Sequence, residues 1–221
     1  MNRINIAIDG PSGAGKSTLA KAIAKQMGIY YLDTGSMYRA VGYAAVQSGV
    51  DIADEAAVAQ LLEKIDLCTV FEDGIQKMML NSENVMPYIR TPQISRAASD
   101  VSAYPCVRMK LVAMQREVAK DYDVVLDGRD IGTFVLPDAE NKYFVTADVA
   151  ERARRRHAEL QEKGIDKRFE DVLEEMKTRD RNDSTRSLAP LCQADDAKLI
   201  DTTDMGIDEV IDAVLADLRR E

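Results

Sequence analysis

An α/β fold, with a parallel sheet covered by helices on both faces, is predicted by three observations. Short β-rich runs alternate with amphipathic segments of helical period along most of the 221 residues. A glycine-rich loop, "GPSGAGKS" at 10–17, stands between one such strand and one such helix. A single interruption, the alternating stretch "DLCTVFEDGIQKMMLNSENV", centres on Asp73-Gly74 and reads as an antiparallel hairpin set into the series. Together they predict a P-loop NTPase-type parallel sheet flanked by helices, with an inserted hairpin-bearing lobe; a pair of charged helices further along is a candidate helical lid.

The elements follow in order. "RINIAI" at 3–8 is the first strand, and an amphipathic helix runs from the loop to about Gly28. "IYYLD" is a second strand, followed by a helix over about 36–48. Asp54–Ile65 is a third helix, with Asp54 as N-cap and acidic residues in its first turn. After the hairpin, helical periodicity resumes through 92–120, and Pro105 opens its second helix. "YDVVLDG" and "NKYFVTA" are strands, 148–163 and 168–181 are charged helices, "AKLIDTT" is the last strand and 207–220 the last helix. One domain over 1–221 is expected, with no internal repeat and no low-complexity linker.

Composition narrows the class. Hydrophobic residues make up 46% and charged residues 30%, as in ordinary globular proteins. No apolar run approaches the roughly 20 residues of a membrane-spanning helix, and the N-terminal stretch passes into the glycine loop too soon for a secretory signal. Cys68, Cys106 and Cys192 are scattered and form no CxxC pair, so reduced thiols in a cytoplasmic protein are expected. The net charge of −9 argues against non-specific binding to nucleic acid or anionic membrane. Arginine is nonetheless concentrated: nine of the 17 lie between Arg129 and Arg186. For any single one, a solvated helix face with i,i+4 pairs is the plain reading; as a group they point to an anion.

The loop fits G-x-x-x-x-G-K-[ST] through Gly10, Gly15, Lys16 and Ser17. Its backbone N–H groups, from Gly10, Pro11, Ser12, Gly13, Ala14 and Gly15 into Lys16, Ser17 and Thr18, form an anion nest at a helix N-terminus, apart from the proline, which has no N–H. In this motif Lys16 reaches the β- and γ-phosphates of a nucleoside triphosphate and the Ser17 hydroxyl ligates Mg²⁺, which fixes NTP binding and no more. Asp127, ending "VVLD", is either the carboxylate held near that ion or the start of an Asp-Gly turn. A GTPase switch is disfavoured, because Asn141-Lys142 is followed by Tyr143-Phe144 and lacks the acidic residue of a guanine reader.

A second anion site is expected opposite the γ-phosphate. "LDTGSMYRA" at 32–40 follows the second strand, at the carboxyl end of the sheet where α/β ligands bind. Arg39 in that segment, Arg129 after "VVLDG" and Arg108 on the helix before it supply guanidinium forks that suit phosphate oxygens.

The motifs "IDGPSGAGKST", "DTGSMYR", "LDGRDIGT" and "RDRNDSTRSLAPL", in that order, closely resemble bacterial cytidylate kinases, members of the nucleoside monophosphate kinases. The resemblance extends to "LIDTTDM" and so covers essentially the whole chain. It implies transfer of the ATP γ-phosphoryl group to CMP or dCMP, with Mg²⁺, by a monomer. It assigns Arg39 and Arg129 to the CMP phosphate. Thr34, Arg108, Asp130 and Arg186 go to the cytosine, and Ser99, Arg179 and Asp183 to the sugar. Arg152, Arg155 and Arg156 fall on the lid over ATP, about 148–181, and the region that takes the monophosphate is about 34–120. The surroundings of Ser99, "RAASDV", match less closely than the other motifs.

These roles suit the chemistry. Cytosine offers an amino donor at C4 and acceptors at N3 and O2, so reading it needs an acceptor such as Asp130 and a donor fork such as Arg108. A turn or N-cap role for Asp130 is the simpler alternative. The acceptor oxygen of CMP is already ionised, so no general base is needed, and His157, the sole histidine, is expected on a helix surface. The charged helices joined by "KGIDKR" are either a lid hinged at Gly164 or a fixed helical hairpin. Two competitors stand beside this reading: a related P-loop kinase for UMP, AMP or a non-nucleotide acceptor, and a nucleotide-dependent binding module that transfers nothing.

Overall fold

A computed structural model describes residues 3–218. The chain divides into two compact units, one built mainly from Tyr30–Val124, the other from Asn5–Ile29 and the chain from Val125 onward.

The second unit carries the phosphate loop. Strands β1 (Asn5–Asp9), β6 (Val124–Asp127), β7 (Asn141–Thr146) and β8 (Lys198–Asp201) line up in the order β6-β1-β7-β8, with β7 parallel to both β1 and β8. Ile6, Ala7, Ile8, Val125, Leu126 and Val145 are fully buried, which is why these runs carry no polar alternation. Helix α1 (Lys16–Met27) buries Leu19, Ala20 and Ile23, and stops at Gly28 in a left-handed conformation. Helices α6 (Val149–Glu162) and α7 (Phe169–Thr185) pack on each other through Ala153, Leu160, Val172 and Met176. Helix α8 (Ile207–Leu218) closes the unit; positions 219–220 of the expected helix lie outside the described residues.

The first unit holds β2 (Tyr30–Asp33), α2 (Thr34–Gln47) and α3 (Glu55–Lys64), the latter capped by Asp54 as expected. Strands β3 (Leu67–Glu72) and β4 (Ile75–Leu80) pair antiparallel in the register Glu72↔Ile75, with Asp73 and Gly74 both at positive φ, a type I′ turn. Helices α4 (Pro92–Val101) and α5 (Pro105–Asp121) follow, each opened by its proline. Helix α2 crosses α4 at Gly42, where a Cβ would lie 2.9 Å from the Ala98 backbone nitrogen.

Four expectations need correction, and one element is new. Helix α2 begins at Thr34 rather than 36, because the Asp33 side chain accepts the Ser36 N–H and caps it directly from the strand. The hairpin is a three-stranded sheet, with β5 (Glu83–Asn84) added to β4. Helix α7 continues to Thr185. Residues Ile131–Val135, for which the sequence reading names no element, form a π-helical turn. His157 is half-buried, its Nε2 at 2.9 Å from the Lys167 carbonyl and its ring edge-on to Phe169, so it ties α6 to the segment before α7. Gly164 sits at φ 70 with Ile165 N–H bonded to the Leu160 carbonyl, the left-handed C-terminal stop of α6.

Candidate active site

In the phosphate-loop unit, β1 ends in Asp9-Gly10 and β6 ends in Asp127-Gly128. Gly10 is obligatory: at φ 142 its missing Cβ would fall 1.9 Å from the Val145 carbonyl oxygen. Lys16 curls back and donates from Nζ to the Pro11 carbonyl at 2.7 Å, inside the loop that it closes. Ser17 Oγ donates to Asp127 Oδ2 at 2.7 Å, which places a hydroxyl and a carboxylate together at the start of α1. The Asp127 carboxylate therefore lies beside the loop serine, at a strand end that also runs into Gly128.

Asp9 was missed by the sequence reading, although its Asp-Gly strand end repeats that of Asp127. Its two carboxylate oxygens accept the N–H groups of Ile131 (2.8 Å) and Gly132 (2.7 Å), fixing the start of the π-helical turn just after Asp130. Burial pushes the Asp9 carboxyl up to about 6, against those two backbone bonds. Burial also brings the Lys16 ammonium down to about 7, and Arg129 adds to the shift, while Asp127 and Asp9 oppose it. A polyphosphate in the loop would favour the charged form of Lys16, against the cost of its burial.

The arginines of this unit are held by carboxylates. Arg129 Nε donates to Asp183 Oδ2 at 2.7 Å. Burial alone would lower the Arg129 pKa, but Asp183 holds it above its ordinary value. Burial works against ionised Asp183, yet Arg129 and Arg179 keep its pKa below the usual carboxylate range. Arg186 Nη2 donates to Asp130 Oδ1 at 3.1 Å, and its Nη1 lies 3.9 Å from Asp183 Oδ1. Asp130, Arg186, Asp183 and Arg129 therefore form one ion-pair chain. Arg179 stands on α7 and bears electrostatically on both Lys16 and Asp183.

Of the lid arginines, Arg152 is buried at the base of α6, donating to the carbonyls of Ala147 (2.8 Å) and Ser12 (3.1 Å) and to Asp180 Oδ2 (2.7 Å). It ties the helical pair to the loop itself. Gly13 packs there too: a Cβ on it would meet Met176 at 2.8 Å and Arg152 at 3.3 Å. Arg155 donates to the Thr202 hydroxyl (3.0 Å) and carbonyl (2.6 Å), whereas Arg156 pairs with Glu159 on its own helix at 2.7 Å. Asp180 and Thr202, the partners that position Arg152 and Arg155, lie inside "RDRNDSTRSLAPL" and "LIDTTDM", but neither is given a role by the sequence reading.

In the other unit, Thr34 is the buried first residue of α2, and Arg39 lies on the next turn, its Nη2 2.8 Å from Asp33 Oδ2. Arg108 on α5 is 1% exposed, with its guanidinium 5.6 Å from the Tyr38 ring centroid, an arginine far too buried for a solvated helix face. Ser99 is half-buried on α4, where its carbonyl accepts the Ser102 hydroxyl.

With this geometry established, comparison with known proteins gives a consistent answer. The family model described as Cytidylate kinase matches residues 6–220. The chain belongs to the cytidylate kinase family. It is 49% identical to the cytidylate kinase of Caldicellulosiruptor bescii over 97% of this chain and 95% of that one. It is 49% identical to that of Shouchella clausii over 98% and 96%, and 47% identical to that of Carboxydothermus hydrogenoformans over 99% and 98%. An uncharacterized protein from Eubacterium ventriosum, solved by crystallography, superposes with a TM-score of 0.56 at 14% identity over 99% of this chain and all of that one, a likeness of fold alone. Among the described residues, no helix is long and apolar enough to cross a membrane.

Proposed function

We propose that the protein transfers the γ-phosphoryl group of ATP to CMP or dCMP, giving ADP and CDP or dCDP. The observation that carries this reading is the near full-length match to cytidylate kinases at close to half identity. The assembled phosphate loop supports it, with Lys16 inside and Ser17 against Asp127.

Phosphoryl transfer asks the protein for positioning and charge stabilisation. The loop from Gly10 to Thr18 holds the donor phosphates. Lys16 gives up its Pro11 contact to follow the β- and γ-oxygens, and Arg129, Arg155 and Arg156 balance charge on the transferring group. Arg152 secures the lid, 148–181, to the loop. For the acceptor, Arg39 and Arg129 take the phosphate. Thr34, Arg108, Asp130 and Arg186 read the base, and Ser99, Arg179 and Asp183 take the sugar, within a monophosphate-binding region of about 34–120 and the motif residues beyond it. Asp130 serves as acceptor for the cytosine amino group. It is already oriented by Arg186, so it meets the base without reorganisation. Mg²⁺ suits the hydroxyl and carboxylate of Ser17 and Asp127, both hard oxygen donors, with ATP phosphates and water completing its shell. When bound, it neutralises charge on the β- and γ-oxygens. The protein acts as a cytoplasmic monomer on free nucleotides.

The test is stoichiometric. Incubation with ATP, Mg²⁺ and CMP is expected to yield CDP and ADP in equal amounts, resolved by anion-exchange chromatography. ADP with inorganic phosphate and no CDP would make the protein an ATPase and overturn the assignment.

A further inference from the structure

Asp33 does more than end β2. Its Oδ1 accepts the Ser36 N–H at 3.0 Å, which leaves Oδ2 for two guanidinium groups: Arg39 Nη2 at 2.8 Å and Arg90 Nη2 at 2.9 Å. Two cations thus converge on one carboxylate oxygen, and the cluster carries an excess positive charge. Arg39 Nε is buried and has no hydrogen-bond partner among the described residues. Arg39 is mostly covered, with 18% of its side chain exposed, whereas Arg90 is 56% exposed and comes from the segment just before the Thr91 cap of α4.

The inserted sheet holds this cluster in place. Gln76 on β4 is buried; its Oε1 accepts the Asp33 N–H at 2.8 Å and its Nε2 donates to Ser36 Oγ at 3.0 Å. Ser36 Oγ in turn donates to the Asp33 carbonyl at 2.6 Å. The hairpin side chain therefore fixes the strand-to-helix junction from which Asp33 and Arg39 project.

We infer that Arg90 is a further ligand of the acceptor's phosphate, paired with Arg39, and that Asp33 holds both guanidinium groups until that phosphate arrives. A phosphate dianion presents several oxygens to two forks that otherwise share one, and guanidinium–phosphate bonds are charge-assisted and bidentate. Arg90 reaches the buried Asp33 from the exposed side, so solvent screens its end of the pair and its guanidinium can exchange Asp33 for phosphate. Gln76 is a positioning residue for the pair. The inference rests on the reading of Arg39 as a ligand of the CMP phosphate.

The experiment compares CMP with cytidine, which lacks the phosphate. KM for CMP and the inhibition constant of cytidine against CMP are measured for the native protein, Arg39→Met, Arg90→Met and Arg90→Lys. Arg90→Met is expected to raise KM for CMP about 10- to 100-fold. Its cytidine inhibition constant and KM for ATP stay within about twofold, and Arg90→Lys recovers part of the loss. Because Arg90 is largely exposed, the variant is expected to fold normally, checked by circular dichroism. An unchanged KM for CMP, or equal weakening of CMP and cytidine, would overturn the inference. If Arg39→Met raises KM for CMP while Arg90→Met does not, Arg39 keeps its role and only the inference on Arg90 fails. If neither variant changes it, the reading of Arg39 fails as well.

Discussion

Lys16 shows how burial prepares a residue for its ligand. Its ammonium is enclosed by the loop and brought down to about 7, so at pH 8 most of the empty protein holds it neutral. Bound polyphosphate favours the charged form and raises the pKa, and ATP binding must then take up a proton. The sign is fixed by the direction of the shift: uptake approaches roughly one proton above pH 7 and vanishes below it. Calorimetry of ATP binding at pH 8, in buffers of differing ionisation enthalpy, is expected to give this excess for the native protein relative to Lys16→Met. Equal proton exchange in the two proteins would remove Lys16 from the phosphate site. The lysine itself was legible from the GKS motif. Its carboxylate neighbours were legible only in part, since Asp127 was flagged and Asp9 was not, although both end strands in Asp-Gly.

At the scale of elements, local signals were read well where one residue dictates the geometry. Asp73-Gly74 gave the turn, Asp54 the cap of α3 and Pro105 the start of α5, because each acts within a few residues of itself. The π-helical turn was not legible. Its Val135 N–H reaches the Asp130 carbonyl and its Leu136 N–H the Ile131 carbonyl, five residues back, and its entry is fixed by Asp9, far away in sequence. Gly42 was equally silent, since a glycine inside an α-helix reads as merely tolerated. In the fold it permits the close α2–α4 crossing. Gly42→Ala gains up to about 1 kcal/mol of helix propensity, against about 1–3 kcal/mol of overpacking on an unyielding backbone. Overpacking on backbone atoms outweighs the propensity gain, so a net loss of up to about 2 kcal/mol is expected, seen as a lower Tm by calorimetry. A raised Tm would show that the α2–α4 contact yields.

For the whole molecule, the order of elements and the phosphate loop were legible because periodicity and glycine spacing are properties of the sequence itself. The partners of the arginines were not. Asp183 meets Arg129 across 54 residues, Asp130 meets Arg186 across 56, and Asp180 meets Arg152 across 28, so each pairing exists only once the unit has folded. These ion pairs keep the guanidinium groups aimed before any anion binds, which is the preorganisation that phosphoryl transfer needs. They also orient Asp130, the residue we propose as the reader of the base. Uracil carries a carbonyl where cytosine carries an amino group, so in the proposed site the accepting oxygen of Asp130 would face it acceptor to acceptor. Leaving such a buried group unpaired costs about 1–3 kcal/mol, or roughly 5- to 150-fold in discrimination. The measurement that tests the account most directly is ADP release from ATP·Mg²⁺ with CMP, dCMP, UMP, AMP, GMP and TMP offered one at a time. Fast turnover with CMP and dCMP, slower turnover with UMP by that factor, and none with the others is the expected result. Turnover with AMP or TMP in place of CMP would contradict it and strip Arg108 and Asp130 of their roles.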